Sequence, residues 1–249
     1  MTAGEWLFYG AGAATLAWAG WVGWRRQGGR PLWRAAGHAL GLDEVQVRGH
    51  TWHLAGEVDG WWVSARDIRE GDRQKTELLV RPGSAGRLSA KVAFAAEPQA
   101  LGRLLVQPDR TLGDPAFDTA VRIGDGPWPT VLALLDGTTR NRLMACVADG
   151  VLVQGGELLA VAGDPGAVAP TLEARLRRML ALAKALDLSE DDVPVRLARN
   201  ARRDFLAAVR GANLQALLAA YPDHPLTAAA LRAAQVDRDA TVRFTAAQA

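Results

Sequence analysis

The residues best suited to hold a metal are His50 and His53, two imidazoles on either side of Thr51 and Trp52. The surrounding alternation predicts a strand, and residues three apart on a strand point to opposite faces, so the two rings would not converge on one ion. Asp114 and Asp118 have the types needed for acid–base work. Their place beside Pro115, at a turn that opens into a short strand or helix, gives them a structural role instead. Asp67, Glu70 and Asp72 alternate with Arg66, Arg69, Arg73 and Lys75, as the solvated charges of a hairpin loop do. Cys146, within Met144-Ala145-Cys146-Val147, reads as a core thiol, not a nucleophile. Ser189 has no base nearby. The sequence contains no P-loop, His-Glu-x-x-His or Gly-x-Ser-x-Gly pattern. No catalytic, cofactor-binding or metal-binding residue is assigned and no cofactor is expected, which favours a protein that is not an enzyme.

Recognition by charge is a second kind of chemistry. A helix predicted over 193–210 carries Arg196, Arg199, Arg202, Arg203 and Arg210 against Asp204 alone, and Arg196, Arg199, Arg203 and Arg210 fall near one side. Such a face is either simply solvated or meets anionic lipid headgroups, each basic group then adding about 1 kcal/mol, or a protein partner. The chain as a whole has 29 Lys and Arg against 27 Asp and Glu, a formal net charge of +2. That balance argues against a dedicated nucleic-acid binder. One cysteine excludes an internal disulfide and a multi-thiolate zinc site.

These groups must be positioned by three kinds of element. The first is an anchor over residues 1–30. Trp6 to Trp24 is an uncharged run, and as a helix it would span about 28 Å, close to the hydrocarbon core of a bilayer. Trp6 lies at one edge and Trp18, Trp21 and Trp24 lie toward the other, an interfacial belt. Arg25 and Arg26 follow at once, with Arg30 and Arg34 beyond. The positive-inside rule therefore predicts a single-pass inner-membrane protein with its C-terminal body in the cytoplasm. A cleaved signal peptide would carry its positive charge before the apolar run, and a buried soluble helix would be poorly served by this many glycines. Gly10, Ala13, Ala17 and Gly20 form a small-residue stripe that would admit homodimerisation through the membrane helix. Gly10-Ala11-Gly12 lacks the third glycine and the preceding strand of a dinucleotide fingerprint.

The second is an α+β domain over 31–168, built on an antiparallel sheet with short helices. Pro31 and Gly41 bound a short helix, and Asp59-Gly60 predicts a two-residue hairpin turn. That turn puts Trp52, Leu54, Val58, Trp61 and Val63 on one apolar face and His53, Glu57, Trp62, Ser64 and Arg66 on the other. Further strands are expected at 75–81, 87–95, 119–123, 150–154 and 157–162, with helices at 129–136 and 139–148. The segment from Gly113-Asp114-Pro115-Ala116-Phe117-Asp118 to the final hairpin around Gly155-Gly156 resembles an uncharacterised domain of bacterial membrane-anchored proteins. The resemblance covers about fifty residues. It implies a fold and a membrane setting and transfers no catalytic residue.

The third, over 169–249, is helical. Leu172, Leu176, Met179, Leu180 and Ala183 form one apolar stripe, Ser189 and Asp192 suggest a cap, and Tyr221 to Pro225 breaks the run. The end of the chain, about 213–249, resembles a HEAT-type helical repeat through Leu231, Asp237, Asp239, Val242, Arg243, Ala246 and Ala247. In that reading Asp239 caps the second helix, Val242, Ala246 and Ala249 face a neighbouring helix, and Arg243 is free for a contact between repeats. One unit cannot bury its own face, so the resemblance implies the start of an α-solenoid and a chain that is a fragment or continues into further repeats. The function expected is a membrane-anchored scaffold or adaptor that binds protein partners. The alternative is a tethered enzyme or ligand-binding or sensor domain.

Overall fold

Alternating apolar residues from Glu44 onward form strands, and the turns between them are set by residues that tolerate a left-handed backbone. The structure is a computed structural model. It describes residues 29–48, 51–89, 92–96, 110–124 and 126–249. Trp6, Trp18, Trp21, Trp24, Arg25 and Arg26, on which the expected anchor rests, lie outside these residues, as do the small-residue stripe and His50. Among the described residues no helix is long and apolar enough to cross a membrane.

The class is α+β: an eight-stranded antiparallel sheet followed by packed C-terminal helices. The strands are β1 (Glu44–Arg48), β2 (Thr51–Val58), β3 (Trp61–Glu70), β4 (Arg73–Pro82), β5 (Phe94–Ala95), β6 (Arg122–Ile123), β7 (Val151–Gln154) and β8 (Glu157–Ala162), in the order β1-β2-β3-β4-β8-β7-β5-β6. The β2–β3 turn has positive φ at both Asp59 and Gly60, and the β7–β8 turn has it at Gly155 and Gly156. Both therefore match the twist of the strands they join. Among the described residues of the expected strand at 87–95, only Phe94 and Ala95 are in the sheet. The stretch 119–123 divides between a helix end and β6.

The chain divides into two compact units. The first takes in the described residues up to Val58, Val63–Leu78 and Val161–Leu176. Its helix α1 covers residues 29–40 and stops at Gly41, whose φ is +69°. The amide of Leu42 donates to Gly37 O and that of Gly41 to His38 O, which is a Schellman closure. Trp33 is fully buried, donates from Nε1 to Pro165 O at 2.9 Å and meets Trp52 edge-on with ring centres 5.4 Å apart. Gly56 lies so close to the Leu42–Asp43 backbone that a Cβ there would come within 2.8 Å of Asp43 N. Asp67 belongs to strand β3, not to a solvated loop. It accepts from Trp52 N and from Gln74 Nε2, so the hairpin loop shrinks to Gly71-Asp72.

The second unit combines Asp59–Trp62, Leu79–Ala160 and Arg177–Ala249. It holds α2 (Pro115–Ala120), α3 (Trp128–Leu134) and α4 (Gly137–Ala148). After the single turn α5 (Pro165–Val168) and α6 (Leu172–Ala185) come two helix pairs, α7 (Val193–Arg203) with α8 (Ala207–Ala220) and α9 (Pro225–Gln235) with α10 (Ala240–Ala247). Helix α3 packs on α7 and α8, and these pack in turn on α9 and α10. Helix α3 of the α+β region thus packs against the first pair of the helical end.

Candidate functional site in the helical end

The expected basic helix over 193–210 is two helices, and the break explains where its arginines go. Asp204 ends α7 with its amide on Asn200 O and leaves the helical conformation. It does so because its carboxylate is held from elsewhere. Arg140, in the first turns of α4, is 1% exposed and donates Nη1 to Asp204 Oδ2 at 2.9 Å and Nη2 to Asp204 Oδ1 at 3.1 Å. Its Nε donates to Asp114 Oδ2 at 2.8 Å, and Nη1 also reaches Leu135 O. The Phe205 ring lies 5.2 Å from the guanidinium carbon and covers the pair from solvent. Gly137 makes room for that ring: a Cβ there would stand 2.9 Å from Phe205 Cε1.

Asp114 and Asp118 differ in role, and neither faces open space. Asp114 caps α2 through Phe117 N and binds Arg140. The Asp118 carboxylate collects three backbone amides, from Leu112, Gly113 and Asp114, at 2.9–3.1 Å. These contacts tie the loop ahead of α2 to the helix.

The charge chain continues into the next layer. Arg210, 3% exposed, makes a two-bond contact with Asp237, Nε to Oδ2 at 2.8 Å and Nη2 to Oδ1 at 2.7 Å. Its Nη1 donates to Asp204 O and Phe205 O. The Arg210 hydrogen bond holds the Asp237 carboxyl below the usual carboxylate range, and Asp237 raises the Arg210 guanidinium in turn. Asp114, Arg140, Asp204, Arg210 and Asp237 therefore form one alternating chain through three helical layers.

The layers repeat residue by residue at a spacing of thirty-three. Asp204 and Asp237 each accept on Oδ1 from the amide two residues on, Leu206 and Asp239. Each gives its carbonyl to the Nη1 of the arginine six residues on, Arg210 at 2.9 Å and Arg243 at 2.7 Å. Val209 and Val242 are buried at matching positions, as are Leu197 and Ala230, and Ala201 and Ala234. An Asp followed five and six residues later by Val and Arg, recurring at this spacing, is the signal in the sequence for Arg140's partner; the expected repeat rests on its second occurrence alone.

The remaining arginines scatter. Arg196 is half-buried and donates to the Ala185 and Asp187 carbonyls at the end of α6, and burial lowers its pKa. Arg199 pairs with Asp136 at 2.9 Å. Arg203 is exposed. So of the expected face Arg210 is buried, while Arg199 and Arg203 on α7 remain exposed and Arg196 is half-buried. Asp239 caps α10 through Thr241 N, and Val242 and Ala246 are buried as the repeat pattern requires, whereas Ala249 is exposed. Ser189 donates its hydroxyl to Asp192 at 2.5 Å instead of capping a backbone amide, and this lowers the Asp192 pKa.

His53 lies 3.8 Å from Glu44. No group of three His, Cys, Asp or Glu fit for a metal occurs among the described residues. Cys146 is 2% exposed, and burial pushes its thiol up to about 11. In the folded protein at neutral pH it should react with Ellman's reagent only as fast as the chain unfolds; prompt stoichiometric labelling would show that this part of the core opens. Compared with protein-family models and with curated proteins, the chain matches neither.

Proposed function

We propose that this chain is a membrane-tethered scaffold whose helical end holds protein partners. The observation that carries the reading is the recurrence of one hydrogen-bonded unit, Asp204 with Arg210 and then Asp237 with Arg243, in successive helix pairs. Stacked units of this kind build extended surfaces suited to recognition. We take the two pairs as HEAT-type layers set on the α3–α4 hairpin. The charged groups that bind them are consumed by one another, so recognition falls to exposed side chains such as Phe205, at 62%, and Val236, at 81%.

The tether rests on the sequence of residues 6–26, an uncharged run with tryptophans at both edges and arginines after it. It places the body at the cytoplasmic face of the inner membrane, with lipid as a partner through the anchor and with homodimerisation open to the Gly10–Gly20 stripe. Removing residues 1–28 should move the protein from the membrane pellet to the supernatant on fractionation. Retention in the pellet would remove the tether from the reading. Photocrosslinking in cells from positions 205 and 236 should give discrete protein adducts; adducts to lipid alone would remove the scaffold.

A further inference from the structure

The basic residues that remain outside lie on two neighbouring helices. On α7, Arg199, Arg202 and Arg203 are exposed and fall within about 100° of one another around the helix. Val195, 46% exposed, stands one turn before them. Helix α9 packs beside α7, and Arg232 stands on it thirty-three residues after Arg199, exposed in the same way. Among the described residues one carboxylate reaches this group: Asp136 accepts from Arg199 at 2.9 Å. Arg202, Arg203 and Arg232 have no carboxylate partner among the described residues. The acids of the same stretch stand elsewhere. Glu190, Asp191 and Asp192 precede α7, Asp223 precedes α9, and Asp237 is held by Arg210. Arg196 registers the crowding: after burial, the Arg199 charge is what most lowers its pKa.

We propose that this Arg199–Arg202–Arg203–Arg232 face lays the helical end on a bilayer that contains anionic lipid. The arginines that hold single carboxylates inside this fold, Arg140 and Arg210, are buried and aimed by a bond from Nη1 to a backbone carbonyl. Arg202, Arg203 and Arg232 are exposed and carry no such bond, so nothing points them at one acceptor. Long cationic side chains spread over two helices suit anions spread in a plane. Their stems and Val195 reach the headgroup boundary while the guanidinium groups stay among the phosphates. Each arginine near such a surface raises the docked-to-free ratio about fivefold. That is weak for a free protein and sufficient for a body whose local concentration at the surface is set by a tether. The turns with Phe205 and Val236 follow the C-terminal ends of α7 and α9 and are left for the protein partner. The proposal rests on the tether reading and adds to it a second contact with the membrane.

Cys146 is buried, so the variant Ala228→Cys, exposed on α9 thirty-three residues after Val195, takes a thiol-reactive dye at one site. The full chain so labelled is reconstituted from detergent into vesicles of phosphatidylcholine alone, or with about one third phosphatidylglycerol. A lipid-borne quencher should dim the dye in the anionic vesicles and not in the neutral ones, and salt at about 0.5 M should restore it. Arg202→Gln, Arg203→Gln and Arg232→Gln should each lower the docked-to-free ratio about fivefold. A dye at Gln215→Cys, on the other helix of the first pair, should stay in water. Circular dichroism checks that each variant folds, and the lipid and salt arms need no arginine variant. Equal quenching in both lipids, or quenching indifferent to salt and to the arginines, overturns the proposal. So does a dye that stays in water in every vesicle, which leaves the face to a protein or to solvent. Flotation separates the two readings. A chain that floats with neutral vesicles while its dye stays in water in anionic ones keeps the tether and loses this face. One that does not float with neutral vesicles but binds anionic ones through these arginines keeps the face and loses the tether.

Discussion

Arg140→Met should lower the stability of the chain by about 3–5 kcal/mol. Methionine keeps most of the buried stem, so the loss reports the charge and its hydrogen bonds, not the volume. Without the guanidinium, the Asp114 and Asp204 carboxylates face each other's neighbourhood in a dry site, with side-chain exposures of 12% and 1%. An unpaired buried charge is far more costly than an absent pair. The triple variant Asp114→Asn, Arg140→Met, Asp204→Asn should therefore recover much of the loss. It removes both carboxylate charges and keeps an oxygen to accept from Phe117 N and Leu206 N. Urea unfolding read by tryptophan fluorescence measures both, with the slope required to stay constant. A loss under about 1 kcal/mol would mean that water already reaches the cluster.

Arg210→Met should cost a similar amount, about 3–5 kcal/mol, because Arg210 and Asp237 are only 4% and 11% exposed and the arginine also holds two carbonyls. This pair adds a pH signature. The Arg210 hydrogen bond, ahead of the other contacts, puts the folded Asp237 pKa below its unfolded value. A depressed carboxylate pKa stabilises the fold fully above the unfolded value, about 3.9. That stabilisation is lost as pH falls through the folded one. Arg210 itself stays charged throughout, since its shift is upward from an already high value. The stability gap between the native chain and Arg210→Met should thus be constant from about pH 7 to 5 and narrow on further acidification. A gap that does not narrow would show that the lost carbonyl contacts, not the ion pair, carry the effect.

Much of the local structure is legible in the sequence. Asp59-Gly60 and Gly155-Gly156 made turns, Gly41 stopped a helix, and Leu172, Leu176, Met179, Leu180 and Ala183 lined one buried stripe, because each signal acts within a few residues. Asp239 as a cap and Val242 and Ala246 as a packing face were legible for the same reason. Two elements misled. The Thr119–Ile123 stretch has strand-favouring residues, but Asp118 tied to the preceding loop and Asp114 as a cap draw its start into α2. The 193–210 stretch has a helical period throughout, but it breaks at Asp204.

By itself, then, the sequence determined most of the element types, the hairpin turns, the apolar faces and the recurrent Asp-to-Arg spacing, since backbone preference and side-chain period are local properties. Only the tertiary structure decided which charges are consumed and which remain outside. Arg140 finds Asp204 sixty-four residues away, and that pairing stands at the break between α7 and α8 and buries two carboxylates, while Arg210 beyond the break is buried and Arg199 and Arg203 before it stay exposed. No local propensity encodes such a contact, because its free energy exists only once burial has lowered the dielectric around both partners.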